Sequence, residues 1–251
     1  MENIVEINNL NFKYKKELLF ENLNLKIKKG DFVTICGTGK TTLVKLIKDR
    51  KNNKNIVING KMCILMSDLY NNFYDETVEK NIIRKLKNNK FSDKQIKEKM
   101  NEFIKNFNLK NILDYNPKYL SYGEKALISI IIALAENPDV IIFDETFSMI
   151  DLIKKEKILK YLKKYNKEKS MTIINFSNNL EESLFSKRII LMDKNIKLNK
   201  TIKKAFDNID IYNDLNLELP FIVNLSNKLK YYDLVDNNFL DMDKLVNYLW
   251  K

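Results

Sequence analysis

Short runs of mostly apolar residues alternate with helical patterns, and this alternation is what most limits the fold of the chain. The clearest runs are Phe32–Cys36, Val140–Phe143, Thr172–Asn175 and Arg188–Met192. A strand that is apolar along its length is buried on both faces, and parallel strands connected by helices produce that burial. The sequence therefore predicts an α/β protein whose parallel strands are covered by helices.

Weaker patterns fill the rest of the chain. Further strands are expected at Ile4–Ile7, Leu25–Ile27, Ile56–Ile58 and Met62–Met66. Helices are expected from about Thr41, over Glu124–Ala135 and Leu152–Tyr165, near Leu180–Phe185, and at Phe221–Leu229 and Met242–Leu249. The lysine-rich stretch from Val78 to Leu120 carries Ile96, Met100 and Phe103 at the spacing of one helix face, which indicates core packing.

Composition excludes several classes of function. The 251 residues include no histidine, which removes histidine-based acid–base catalysis, Ser-His-Asp triads and histidine metal ligands. The 44 Lys and Arg residues exceed the 33 Asp and Glu residues, for a net charge of +11, but only Arg50, Arg84 and Arg188 are arginines. Charge alone leaves nucleic acid and an anionic membrane surface open as partners.

No segment of the sequence is typical of membrane insertion or export. The longest apolar stretch, Ala126–Ala135, is too short to span a bilayer, and the amino terminus lacks a signal-peptide pattern. Cys36 and Cys63 are isolated, as expected of buried thiols in a reducing cytosol. We therefore expect a cytosolic protein that can dock on a membrane protein.

The segment from Cys36 to Thr42, Cys-Gly-Thr-Gly-Lys-Thr-Thr, lies between an apolar strand and a helix. A glycine-rich turn that ends in Gly-Lys-Thr is the design of a P-loop, which cradles phosphates with backbone N–H groups and a helix amino terminus. In this reading Gly37, Thr38, Gly39, Lys40, Thr41 and Thr42 bind the nucleotide phosphates, and Thr41 is also a Mg²⁺ ligand.

This loop is about three residues shorter than the full pattern requires. The pattern places a glycine five positions before Gly39, and Thr34 stands there, inside the predicted strand. If Gly37 opens the loop instead, part of the arch over the phosphates is missing, and we expect weakened nucleotide binding.

Two acids follow the apolar strand that begins at Val140. An acid at the end of a strand beside a P-loop can hold Mg²⁺ through water, as we expect for Asp144, and a second acid can polarise the attacking water, as we expect for Glu145. Taken alone, the pair would be better explained as acids that begin a helix, but its spacing from a P-loop favours the catalytic role.

Leu120-Ser121-Tyr122-Gly123-Glu124 opens the helix before that strand. In this order, between P-loop and acidic strand, the segment resembles the LSGGQ signature of ABC ATPases. Other segments match the same family: Tyr14 the aromatic residue that stacks on adenine, Ser148–Asp151 the loop at the ATPase dimer interface, and Ser177–Glu182 the switch segment. Asn178 stands where the family usually has histidine, and Ser67 where it usually has the glutamine that couples to the membrane subunit.

The carboxyl-terminal segments Lys200–Phe206 and Leu217–Phe221 resemble those of energy-coupling factor (ECF) transporter ATPases. The resemblance implies a P-loop NTPase core of the ABC type with a mixed sheet over residues 1–206, a helical insertion at about 78–135, and a small appendage at 207–251. It also implies ATP and Mg²⁺ as cofactors, and catalytic roles for Glu145 and Asn178.

The resemblance further implies an assembly. Ser121 and Gly123 would grip the nucleotide held by a second ABC ATPase subunit, identical or not. The pair would sit on the cytoplasmic face of the membrane, bound to a transmembrane scaffold and a substrate-binding membrane subunit, and would energise import of a vitamin or a transition-metal ion. Nucleic acid is not expected as a partner.

Two other functions stay open. The short loop, Ser67, Tyr122 and Asn178 all depart from the family pattern, which would suit a partner subunit that hydrolyses ATP weakly or not at all. The basic charge would suit a soluble ABC ATPase that acts on nucleic acid or ribosomes, although such proteins usually carry two ATPase copies in one chain.

Overall fold

The computed structural model describes residues 2–15, 17–66 and 73–250. These residues form two compact units. The first unit contains residues 2–5, 27–31, 58–66 and 73–174, and the second unit contains residues 6–15, 17–26, 32–57 and 175–250. Ser67 lies outside the described residues.

The first unit combines parallel strands with four helices. Strands β5 (Met62–Leu65) and β6 (Val140–Asp144) pair in parallel, and β7 (Thr172–Phe176), which begins in this unit, lies next to β6. The helices are α2 (Val78–Asn88), α3 (Asp93–Phe107), α4 (Tyr122–Ala135) and α5 (Leu152–Lys169). Every residue of β6 is buried, as its apolar sequence predicts.

Side-chain caps fix where these helices begin. Thr77, Ser92, Ser121 and Asp151 each accept a hydrogen bond from a backbone N–H in the first turn of the helix that follows. Because Ser121 is the cap, α4 begins at Tyr122, two residues before the predicted start. Residues 126–135 of α4 are all buried, which is typical of a helix in the interior of a domain.

The second unit is built around β3 (Phe32–Gly37), which pairs in parallel with β8 (Arg188–Asp193). On the other side of β8, strand β9 (Asn195–Thr201) runs antiparallel. The sheet is therefore mixed, as the family resemblance implies, and the simpler prediction of parallel strands only was wrong at β9. Helix α1 (Lys40–Lys48) follows β3 directly.

A three-stranded sheet of order β2-β1-β4 belongs mostly to the second unit. Its strands are β1 (Asn3–Tyr14), β2 (Glu17–Lys28) and β4 (Ile56–Ile58). The first two are much longer than the predicted Ile4–Ile7 and Leu25–Ile27. Asparagine side chains extend their pairing: Asn24 accepts from the N–H of Asn9, and Asn11 accepts from the N–H of Asn22.

Four short helices follow β9: α6 (Ile202–Ala205), α7 (Asp210–Asp214), α8 (Phe221–Tyr231) and α9 (Met242–Leu249). The predicted helix near Leu180–Phe185 is a 3₁₀ helix, and two further 3₁₀ turns lie at Arg50–Asn52 and Pro117–Tyr119. Residues of these last helices share one hydrophobic cluster with β3 and β8, including Cys36, Leu191, Tyr212, Val223 and Leu245. The domain boundary at residue 206 stays a prediction.

Candidate functional site

The turn between β3 and α1 is short. β3 ends at Gly37 and α1 begins at Lys40, so Thr38 and Gly39 alone connect them. Gly37 has φ +111°, and a Cβ at this position would lie 2.0 Å from the carbonyl oxygen of Met192. Both the left-handed backbone and the close approach of β8 therefore require glycine here. Thr34 is buried within β3, so it cannot open a longer loop.

Two backbone N–H groups at this turn are bonded inside the protein. The N–H of Thr38 donates to the carbonyl oxygen of Met192 at 3.0 Å. The N–H of Gly37 donates to Oδ1 of Asn178, also at 3.0 Å. Gly39 has φ +85° and precedes α1 as its cap residue, without a side-chain hydrogen bond to the helix. Thr41 and Thr42 follow in the first turn of α1, where backbone N–H groups have no acceptor within the helix.

Lys40 points back to the turn from which its helix starts. Its Nζ donates to the carbonyl oxygen of Gly37 at 3.1 Å and to Oδ1 of Asn178 at 2.6 Å. Lys40 is buried, whereas Asn178 is exposed. The structure thus brings Gly37, Lys40 and Asn178 together, although Asn178 is 138 residues further along the chain than Lys40.

The segment that carries Asn178 is held by bonds on both sides. The N–H of Ser177 donates to the carbonyl oxygen of Ile35 in β3. Asn179 caps the 3₁₀ helix Leu180–Phe185 by accepting from the N–H of Glu181. Oε1 of Glu181 accepts from the N–H of Phe221, the first residue of α8, at 2.6 Å. Sequence reasoning missed this last contact, because no local pattern pairs residues 40 positions apart.

Tyr14 is the last residue of β1, and 66% of its surface is exposed. An aromatic ring this exposed has an open face for stacking on another ring.

In the first unit, Asp144 and Glu145 stand at the carboxyl end of β6. Asp144 is buried, and Glu145 is half-buried with φ +50°, a left-handed conformation that is uncommon for residues other than glycine. The following residues fix this turn: the hydroxyl of Thr146 donates to the carbonyl oxygen of Leu65 at 3.0 Å, and the hydroxyl of Ser148 donates to that of Glu145 at 2.8 Å.

Ser121 and Gly123 begin α4 in the same unit. The N–H and the hydroxyl of Ser121 donate to Oε2 of Glu124 at 2.9 and 2.7 Å, and the Ser121 oxygen accepts from the Glu124 N–H. These bonds from Ser121 hold the pKa of Glu124 below its usual value. A Cβ at Gly123 would lie 3.1 Å from the carbonyl oxygen of Met149, so this helix turn packs closely on the loop before α5.

Known proteins are similar to this chain in sequence and in fold. A profile of the ABC transporter family matches residues 20–148, about half of the chain. The chain belongs to the ABC transporter family. The sequence prediction of an ABC transporter ATPase is thereby confirmed.

Relatives of this ABC protein with curated names are ATP-binding proteins of ECF transporters. The energy-coupling factor transporter ATP-binding protein EcfA1 of Clostridioides difficile is 28% identical over 98% of both chains. The protein of the same name from Mycoplasmopsis synoviae is 31% identical over 76% of this chain and 80% of its own length.

Solved structures confirm the fold. Protein cbiO1 of Clostridium perfringens, part of the ABC transporter complex cbiONQ, has a TM-score of 0.71 at 22% identity and covers 90% of this chain and 100% of its own. An ATP-binding cassette solved as a dimer in a post-hydrolysis state with ADP and Pi has a TM-score of 0.66 at 24% identity, over 79% of this chain and 98% of its own.

None of the helices within residues 2–15, 17–66 and 73–250 combines the length and the apolar character needed to cross a bilayer.

Proposed function

We propose that this chain is the ATP-binding and ATP-hydrolysing subunit of an ECF-type importer. The observation that carries the proposal is the meeting of a backbone N–H and a lysine ammonium at one acceptor, at the start of a helix that follows a buried strand. Such donors bind phosphate oxygens in P-loops. A relative named as an ECF transporter ATP-binding protein matches this chain over nearly its whole length, which supports the ECF assignment.

The proposed roles follow the chemistry of each group. Lys40 and the backbone from Gly37 to Thr42 bind the phosphates, and Tyr14 stacks on the adenine. The hydroxyl of Thr41 and the carboxylate of Asp144 are oxygen donors, which is the type that Mg²⁺ prefers. Glu145 polarises the attacking water, and Asn178 reaches the γ-phosphate.

The proposed assembly is a dimer of ABC ATPases on the cytoplasmic face of the membrane. Ser121 and Gly123 stand at the amino terminus of α4, a position suited to an anion supplied by the second subunit. A transmembrane scaffold and a substrate-binding membrane subunit complete the importer, whose cargo is a vitamin or a transition-metal ion. The chain docks on the scaffold through the region around residues 67–74, of which the structure describes Phe73 and Tyr74, and through the helical insertion at about 78–135.

A specific observation also favours a second candidate, a partner subunit that hydrolyses ATP slowly or not at all. The N–H groups of Gly37 and Thr38 are both bonded inside the protein, and the turn contains only two residues between strand and helix. Fewer donors for the phosphates mean weaker binding.

One set of variants tests the main proposal. ATP turnover, ATP binding and dimer formation are measured for the wild type, for Glu145→Gln and for Glu98→Gln, a matched charge change on the exposed side of α3. We expect Glu145→Gln to bind ATP, to lose roughly 100-fold or more in turnover and to accumulate an ATP-bound dimer. Undiminished turnover in Glu145→Gln would contradict the role of Glu145. ATP binding without turnover by the wild type would favour the second candidate.

A further inference from the structure

Oδ1 of Asn178 accepts hydrogen bonds from the two groups that would otherwise bind a phosphate oxygen. It accepts from the N–H of Gly37 at 3.0 Å and from Nζ of Lys40 at 2.6 Å. A P-loop offers a phosphate the same two groups, a backbone N–H and a lysine ammonium. The neutral amide oxygen therefore stands in this turn as a mimic of a phosphate oxygen.

We propose that Asn178 is an internal competitor of the nucleotide, so that ATP binds only when the Asn178 amide leaves Lys40. We call the contact among Gly37, Lys40 and Asn178 the amide latch. The inference rests on the proposed nucleotide site and deepens it, because it assigns to Asn178 a regulatory role before any contact with the γ-phosphate.

A phosphate oxygen competes for Lys40 and Gly37 more strongly than the amide oxygen of Asn178, so ATP can open the amide latch. A phosphate oxygen carries negative charge whereas the amide oxygen of Asn178 is neutral, so both the Lys40 ammonium and the Gly37 N–H bind the phosphate oxygen more strongly. ATP can therefore displace the amide, but part of its binding free energy is used to break the two bonds of Asn178. The latch lowers the apparent affinity without removing any group that binds phosphate.

An open cleft beside Asn178 leaves space for its side chain to rotate. Asn178 is exposed, and it borders an open cleft of about 470 Å³ that is also lined by residues 216–219. A side-chain rotation toward this cleft would withdraw the Asn178 amide from Lys40 while the buried neighbours Ser177 and Leu180 keep their places.

Glu181 is the positioning residue of the latch. It lies three residues after Asn178, and its carboxylate accepts from the N–H of Phe221 at the start of α8. This bond joins the switch segment, Ser177–Glu182, to helix α8. We expect loss of the Glu181 carboxylate to loosen Asn178 and so to act in the same direction as loss of the Asn178 amide.

The test is a titration with ATP and Mg²⁺ of the wild-type chain and four variants. Asn178→Ala removes the competing oxygen, and we expect it to bind ATP about tenfold more tightly, which corresponds to about 1.4 kcal/mol. Asn178→Asp keeps the size but places a carboxylate on Lys40, and we expect it to bind at least about tenfold more weakly. Glu181→Gln should tighten binding by a smaller factor. Asn224→Ala, at an exposed position of α8, is the control and should match the wild type.

A second readout does not depend on ATP. The rate at which acetic anhydride modifies Lys40 is followed by peptide mass spectrometry in each variant. We expect Asn178→Ala to raise this rate and Asn178→Asp to lower it, because a carboxylate holds the ammonium more firmly in its protonated form.

The two readouts separate the latch from the proposed function. Asn178→Ala with unchanged or weaker ATP affinity, in a chain that binds ATP, would overturn the latch and leave the proposed function standing. If no variant bound ATP but Lys40 reactivity followed the expected order, the nucleotide site would be refuted and the contact among Gly37, Lys40 and Asn178 upheld. Equal reactivity in all variants would overturn the latch.

Discussion

Lengthening the turn between β3 and α1 should strengthen ATP binding strongly. The perturbation is insertion of Gly-Ser-Gly between Gly37 and Thr38. In the present turn the N–H groups of Gly37 and Thr38 are already bonded, to Oδ1 of Asn178 and to the carbonyl oxygen of Met192. Inserted residues would bring new N–H groups, which can wrap around the phosphates in addition to the donors that Asn178 releases when ATP binds.

The size of the effect follows from the number of donors gained. If two inserted N–H groups reach charged phosphate oxygens at ~1.5–3 kcal/mol each, binding tightens by roughly 3–6 kcal/mol. This free energy corresponds to a dissociation constant on the order of a hundredfold smaller, or more. Lengthening a short turn has a small entropic cost by comparison, since each doubling of loop length costs only about 0.6 kcal/mol.

Isothermal titration with ATP and Mg²⁺ measures the change. The control carries the same three residues between Asp207 and Asn208, an exposed turn of the same unit. Urea unfolding of all three proteins checks that the insertions leave the fold intact. Equal affinities of the wild type and the Gly37–Thr38 insertion would refute the reasoning, because the short turn would then reach the phosphates by another route.

Two further predictions concern stability. Ser121→Ala removes the cap of α4 and should lower the free energy of unfolding by about 1 kcal/mol in urea titrations, whereas Ser121→Thr should retain most of it; equal losses in both variants would contradict the cap. Burial raises the pKa of Tyr212, whose hydroxyl donates to the carbonyl oxygen of Ala205 at 3.0 Å. Its folded pKa lies above the unfolded value of about 10, so its contribution is complete below that pH and is lost as pH rises above it. Tyr212→Phe should cost ~0.5–1.5 kcal/mol at neutral pH and weaken the alkaline loss of stability, and an unchanged alkaline slope would refute the assignment.

The pattern of apolar residues was sufficient to predict the strands whose residues are almost all buried. The apolar runs at Phe32–Cys36 and Val140–Phe143 became β3 and β6, each within one residue. Such segments leave little choice, because only one kind of element buries their side chains. The order of the Gly-Lys-Thr turn, the signature segment and the acidic strand likewise indicated the family from the sequence alone.

Segments defined by pairing were less predictable. Strand β9 has exposed Asn195, Lys197 and Asn199, so its sequence gives a weak strand pattern, and antiparallel pairing with β8 decides its conformation. β1 and β2 extend beyond the predicted runs Ile4–Ile7 and Leu25–Ile27, and asparagine side chains add hydrogen bonds between them in the extended part. Helices of four or five residues, such as α6 and α7, are too short to show a period.

The sequence by itself determined the identity of the groups at the candidate site: a lysine, a short glycine turn, and an asparagine in the switch segment. It could predict that the turn lacks residues, because that is a matter of counting. Only the tertiary structure decided what those groups bind. The bonds from Lys40 and Gly37 to Asn178, and from Phe221 to Glu181, join residues 40 to 141 positions apart. Contacts at such separations depend on how strands and helices pack, and no local pattern in a single sequence records them.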